Sequence, residues 1–294
     1  MIIITGATGN IGSKTAAKLL AQGKKVKVIA RHAEKLEDLK KNGALVEAGD
    51  LRDANFLTSA FKGAESALLI IPADLQSKNI SEHQDALGKV QIEAIQNSGV
   101  KNVIFISSQG AQDIENTGVV AGLGRHELRL NKLPEDVNVL NVRAAYFMEN
   151  LFNQIGVIKA MGIIGTPIKS DFKMGMIATQ DIAEYVANKL ARLDFKGKNT
   201  LDLLGDRDYD HNEVASIVGK AINKPELGYV EFSYEDNKKA LLQYGISESF
   251  ADALNGLYKG INAGLITVSK RNSSSTTSTT LENFVETVFK YAMQ

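Results

Sequence analysis

From Met1 to about residue 110, short apolar runs rich in β-branched residues alternate with helix-patterned segments, and this alternation leaves few folds open. The runs are MIIIT (1–5), KVKVIA (25–30), ALVEA (44–48), SALLII (66–71) and NVIFIS (102–107). The segments between them, such as NIGSKTAAKLLAQG and SEHQDALGKVQIEAIQNSG, end in glycine, where a left-handed helix cap belongs. Strand–helix alternation means βαβ units and a parallel sheet covered on both faces. A sixth run, VNVLNVRAA (137–145), reads as another strand. The expected fold class is α/β, a doubly wound parallel sheet of the Rossmann type with a smaller C-terminal α/β lobe.

The alternation loosens after about residue 150. Expected boundaries are a dinucleotide-binding domain over 1–150 and a smaller substrate lobe over 151–294, with parts of about 175–205 packing back on the sheet. TQDIAEYVANKLARL reads as a helix whose buried stripe is Ile182, Val186 and Leu190. The Ser/Thr run at 273–280 reads as a loop, or as a flexible low-complexity segment. Thr279 and Glu282 have capping-box spacing before a terminal helix.

Composition excludes several classes of function. The chain has 34 basic and 34 acidic residues, which argues against a nucleic-acid partner, since phosphate binding leaves a basic stripe. It has no cysteine, so disulfides, thiolate metal sites and cysteine nucleophiles are ruled out. The four histidines show no metal-ligand spacing, and no metal is expected. MIIITG starts at residue 1 without a basic leader and is too short for a membrane span. A cytoplasmic protein with no membrane partner is expected.

ITGATGNIGSKTAAKLL places Gly6, Gly9 and Gly12 between the first strand and the first helix. Gly6 permits a tight turn, Gly9 lets the backbone approach a pyrophosphate, and Gly12 lets the helix pack closely. The helix N-terminus then offers free N–H groups and a positive dipole end to the phosphates. At the end of the second strand stands Arg31, with His32 and Lys35 nearby, where an NAD site tends to carry an acid. A guanidinium can hold a 2′-phosphate with paired hydrogen bonds, so NADP(H) is the expected cofactor; the alternative is a solvated loop arginine. After the third strand, Asp50 and Leu51 stand where an adenine edge would lie, and Asp53 is placed to cap the next helix.

Together MIIITGATGNIG, GDLRD, AAYFMENL and ATQDIAEYVA make the chain resemble the NmrA-like atypical short-chain dehydrogenases, and among them the bacterial NADPH:quinone oxidoreductases. The similarity runs essentially end to end and includes GISESFADAL and TTSTTLENFVE. The resemblance implies that Gly6, Thr8, Gly9, Asn10, Ile11, Arg31 and Lys35 contact cofactor phosphates and ribose. It places Ile71, Pro72, Ser107 and Ser108 on the nicotinamide side.

A carbonyl reductase of this superfamily carries a Tyr-x-x-x-Lys pair after the fifth strand, the lysine lowering the pKa of a tyrosine that donates to the forming alkoxide. Residues 107–130, SSQGAQDIENTGVVAGLGRHELRL, contain neither Tyr nor Lys. The strings that exist, Tyr185–Lys189 and Tyr234–Lys238, stand in other elements. The helix expected over about 122–133 offers Arg125, His126 and Glu127, with Leu123 where relatives carry a polar residue. His126 reads as a solvent-facing histidine, with a proton donor as the alternative. AAYFMEN follows the sixth strand at the sheet's ligand-binding edge. There Tyr146 and Phe147 can stack on a flat ring and Asn150 can hydrogen-bond a carbonyl; the alternative is that Phe147 and Met148 are core.

Quinone reduction needs little proton machinery, because the cofactor carries the hard step. The expected function is an NADPH-dependent reductase of a quinone or similar small electrophile, with no assigned catalytic residue. The alternatives are a non-catalytic NADP(H) sensor and, ranked lower, a nucleotide-sugar epimerase. The oligomeric state is left open, with a homodimer as one option.

Overall fold

The protein is described by a computed structural model that covers residues 1–266 and 270–294. Twelve strands occur among the described residues: β1 (Ile2–Ile4), β2 (Val26–Ala30), β3 (Leu45–Ala48), β4 (Ser66–Leu69), β5 (Asn102–Ser108), β6 (Asn138–Ala144), β7 (Tyr146–Phe147), β8 (Ile163–Thr166), β9 (Met174–Ile177), β10 (Lys198–Leu203), β11 (Asp208–Tyr209) and β12 (Gly228–Glu231). The principal helices are α1 (Asn10–Ala21), α2 (Glu37–Lys41), α3 (Ala54–Phe61), α4 (Ile80–Ser98), α5 (Ala121–Asn131), α6 (Ile155–Met161), α7 (Thr179–Arg192), α8 (His211–Ala221), α9 (Tyr234–Gln243), α10 (Glu248–Asn262) and α11 (Leu281–Phe284).

The main sheet has seven parallel strands in the order β10-β6-β5-β4-β1-β2-β3. The chain winds outward from β1 to β3, then returns to place β4 on the other side of β1. Strand order reverses there, so a crevice opens at the carboxyl ends of β1 and β4. One face is covered by α1 and α7, through Ala16, Leu19, Ile182, Val186 and Leu190. The other is covered by α3, α4 and α5, through Leu57, Phe61, Leu87, Ile95 and Leu130. Each of the Leu, Ile, Val and Phe side chains contributes about 1.5–3 kcal/mol relative to exposure, so both faces are firmly closed. Asp53 caps α3 by accepting from the Phe56 N–H at 3.0 Å.

The smaller lobe is interleaved with the sheet. The chain leaves after β6, builds β7, β8 and β9, then returns as α7 and β10 before leaving again. In the lobe β9 joins β7 and β11, and β8 pairs with β12. Its core holds Met148, Leu151, Ile158, Tyr209, Val218 and Phe284.

The Ser/Thr run forms a fixed strap. Leu204 donates to the Ser275 carbonyl at 2.6 Å and accepts from the Thr277 N–H at 3.0 Å. The capping residue differs from the expected Thr279. Thr280 caps α11 by accepting from the Asn283 N–H at 3.1 Å. Thr279 is committed to Asp181, at 2.6 and 3.0 Å, and Glu282 to Arg207 at 3.0 Å. The capping box fails because both members have stronger tertiary partners.

Candidate cofactor cleft and acceptor site

The glycine turn is shaped by backbone proximity. Gly6 has φ +65°, a conformation that residues with a Cβ rarely adopt. A Cβ on Gly12 would overlap the Gly6 carbonyl oxygen, so only glycine lets α1 start against this turn. Gly9 is the N-cap and supplies no side-chain acceptor, which leaves the first-turn N–H groups facing outward. Thr8, Gly9 and Asn10 are exposed beside it, while Ile11 and Gly12 are buried.

From that turn a cleft runs across the ends of β2 and β3. Gly6, Thr8, Arg31, Lys35, Asp50, Leu51 and Pro72 all line it, so residues far apart in sequence converge on one hollow. Arg31 and Lys35 make one wall cationic with His32 between them, and no acid stands at the end of β2. Its union of apolar walls with a helix N-terminus whose N–H groups are open fits a dinucleotide. Sequence reasoning did not find Arg52, Asp74, His83 and Leu87, which also line it. They come from loops and from α4, where no local pattern marks them. Arg52 chelates the Asp50 carboxylate through Nε at 3.1 Å and Nη2 at 2.6 Å. That hydrogen bonding holds the Asp50 pKa below the ordinary carboxylate value. Ile71 is buried beneath the cleft in the apolar layer under α4.

At the carboxyl end of β5, Ser107 is buried and donates its hydroxyl hydrogen to Glu127. Glu127 also receives Arg143 in a bidentate pair, at 3.0 Å from Nε and 2.6 Å from Nη2. Hydrogen bonding to Glu127 raises the Arg143 pKa above its already high ordinary value. Ser108 donates to the Gln109 carbonyl at 3.0 Å. Both serine hydrogens are therefore spent inside the protein, and the Ser107 oxygen is left as an acceptor.

His126 corrects the expectation of a solvent-facing side chain. It is fully buried, edge-on to Phe105 at 4.7 Å, and neither ring nitrogen has a hydrogen-bond partner. Burial pulls its pKa down to about 3, so it is neutral at physiological pH and belongs to the core. Leu123 packs against the same apolar layer.

Successive residues of a strand face opposite ways. On β7, Phe147 packs against the main-sheet core, while Tyr146 packs against the two lobe cores. Met148 is fully buried in the lobe. Asn150 shares a small cavity with Tyr146, and its amide lies close enough to lower the phenol pKa. Burial nevertheless pushes the Tyr146 pKa up to about 12, so the phenol keeps its proton.

The two Tyr-x-x-x-Lys strings do not form working pairs. The Lys189 ammonium lies 5.8 Å from the Tyr185 ring centre and 3.0 Å from Asp194. Lys238 pairs with Glu248 at 2.9 Å and Asp252 at 2.7 Å, and the Tyr234 hydroxyl accepts from Asn262 at 2.8 Å.

Among known proteins, the model of the NmrA-like family matches residues 1–285. The chain belongs to the NmrA-like family. It is 26% identical over 258 residues to the NAD(P)H azoreductase of Xenophilus azovorans, covering 88% of this chain and 86% of that one. The NADPH-dependent quinone oxidoreductase QOR2 of Escherichia coli, complexed with NADPH, superposes with a TM-score of 0.80 at 23% identity, over 98% of this chain and 100% of its own. A nucleoside-diphosphate-sugar epimerase of Staphylococcus aureus does so with 0.83 at 22% identity, over 97% and 99%. These superpositions establish the shared fold.

In this NmrA-like chain the segments AAYFMENL and ATQDIAEYVA meet through one carboxylate. Glu149 accepts from the Thr179 N–H at 3.1 Å and from the Thr179 hydroxyl, and it pairs with Lys14 at 3.4 Å. It thereby stands in for the missing side-chain cap of α7 and ties the loop bearing Tyr146 and Asn150 to α1. Among the described residues no helix is long and apolar enough to cross a membrane.

Proposed function

We propose that this protein is an NADP(H)-dependent reductase that delivers hydride to a quinone or similar small electrophile. The observation that carries the reading is the cleft at the β1/β4 crossover, which joins an open glycine turn to a wall formed by Arg31, His32 and Lys35. The azoreductase likeness supports the same class of chemistry. Bound NADPH would supply the hydride. The first turn of α1 would hold its pyrophosphate, and Arg31 with Lys35 its 2′-phosphate. Ser107 would accept from the nicotinamide carboxamide and so orient the ring.

The acceptor is assigned to the Tyr146 side. There the protonated phenol offers a hydrogen bond to an acceptor oxygen, while Asn150 supports the phenol. No side chain on α5 offers a mobile proton: His126 is buried and neutral, and Glu127 is paired with Arg143. Such a site suits an acceptor whose reduced oxygens can draw protons from water. It does not suit an epimerase, which needs the Tyr–Lys device that α5 lacks.

NADPH oxidation measured against a panel of quinones and an azo dye, with NADPH binding measured in parallel, tests the reading. Turnover on at least one acceptor is expected. Tight NADPH binding without turnover on any of them would favour a redox sensor instead. Tyr146→Ala should raise the KM for a flat acceptor by roughly two- to tenfold, the scale of a lost aromatic contact, with NADPH affinity unchanged. A constant KM for every acceptor would remove Tyr146 from the site. Tyr185→Phe and Tyr234→Phe should leave kcat nearly unchanged, since neither lysine reaches its phenol; a large fall in either variant would mean the site lies elsewhere.

A further inference from the structure

The cavity beside Tyr146 is small and partly open. It leaves about 20 Å³ in which the centre of a water molecule can move, enough for a single water. Its polar lining is Tyr146, Asn150, Gln154, Thr166 and His211. The Gln154 Oε1 accepts from the Gly165 N–H at 3.0 Å, and the Thr166 hydroxyl lies 2.6 Å from the Tyr229 oxygen. The Asn150 amide lies close to the Tyr146 phenol and has two hydrogens to give. His211 is the exception. It is 6% exposed, its ring packs 4.7 Å from that of Tyr229, and its Nδ1 has no hydrogen-bond partner. Nitrogen atoms so deeply buried are ordinarily paired, often with an ordered water.

We propose that this cavity is a one-water site that bridges His211 Nδ1 to Asn150, and that His211 is thereby a positioning residue for Tyr146. The water accepts from the second Asn150 N–H and donates to Nδ1. Asn150 is then held by hydrogen bonds on both sides, and its other N–H stays directed at the phenol oxygen. The phenol's own hydrogen is left for the acceptor. The bridge needs His211 neutral, and burial pulls its pKa down to about 4. The kinetic consequence rests on the reductase reading, whereas the water and the Asn150 geometry do not.

Two substitutions separate positioning from packing. His211→Phe keeps a ring against Tyr229 but has no acceptor, and His211→Gln keeps an acceptor but has no ring. With menadione as acceptor, His211→Phe should lower kcat/KM by about five- to tenfold, the scale of one hydrogen bond, at unchanged NADPH affinity. His211→Gln should recover most of the loss. A Phe variant equal to wild type, or a Gln variant as impaired as Phe, overturns the positioning role. A high-resolution crystal structure of the wild type should show one ordered water within hydrogen-bond distance of His211 Nδ1 and Asn150. The His211→Phe crystal should lack that water and show the Asn150 amide turned from Tyr146. A dry wild-type cavity, or an Asn150 unmoved in the variant, would sink the idea. If the wild type reduces no acceptor, the reductase reading fails while the two crystal structures still decide the bridge.

Discussion

Replacing Arg31 with alanine should weaken NADPH binding by roughly ten- to a thousandfold and leave NADH binding almost unchanged. The 2′-phosphate carries close to two negative charges near neutral pH, and NADH has only a hydroxyl in its place. Charge-assisted hydrogen bonds contribute about 1.5–3 kcal/mol each, and every ~1.4 kcal/mol is tenfold in affinity. Arg31 is exposed at the rim of the cleft, which favours the lower part of that range. The preference should also shrink as ionic strength rises. Asp50 lies within electrostatic reach of Arg31, but its carboxylate is already chelated by Arg52, so Arg31 is not its main partner. Titrating both cofactors into wild type and Arg31→Ala decides the matter. Equal wild-type affinities, or equal losses for both cofactors, would show that Arg31 does not read the phosphate.

Glu127→Ala should be the costliest single change near the site for stability. The carboxylate is 4% exposed and receives Ser107 together with two nitrogens of Arg143. Removing one member of a buried ion pair costs about 3–5 kcal/mol, because the other charge is left behind. Asp202 lies within electrostatic reach of Arg143 and offers partial compensation, so the lower figure applies. At about 2–4 °C per kcal/mol for a chain of this class, Tm should fall by roughly 6–12 °C. The double variant Glu127→Leu/Arg143→Leu should recover much of the loss, since an apolar pair of similar volume replaces both charges. A double variant no more stable than Glu127→Ala would show that the cost is lost packing rather than a stranded guanidinium. Melting curves of the three proteins measure this directly.

The sheet was legible, and the proposed cofactor half of the site could be read, because their signals are local. A glycine turn, a strand-end arginine and a helix cap each occupy a few consecutive residues, and the parallel sheet follows from the strand–helix alternation. The proposed acceptor half lacks such a signal. Tyr146, Thr166, His211 and Tyr229 come from four separate segments, and β7 and β11 are each two residues long, too short to show a period. His126 was misread for a related reason. It fits inside because Gly88 of α4 has no side chain: a Cβ there would stand 2.8 Å from His126 Nδ1. Nothing near residue 126 in sequence announces that vacancy 38 positions away. Thr279 shows the converse, a correct local motif overruled by a distant aspartate.

The way the lobe is threaded through the sheet bears on how such a protein changes its acceptor. Residues 145–178 and those after 203 build the lobe, while α7 and β10 between them complete the sheet. No single stretch of gene therefore encodes the lobe. A recombination event that imported a foreign acceptor pocket would also import an edge strand and the helix that packs on α1, and would have to match both. Cassette exchange is effectively closed to this architecture. On the proposed reading, new acceptor specificity comes by individual substitutions around an inherited scaffold, at positions such as 146 and 150, or by lengthening the loops between them.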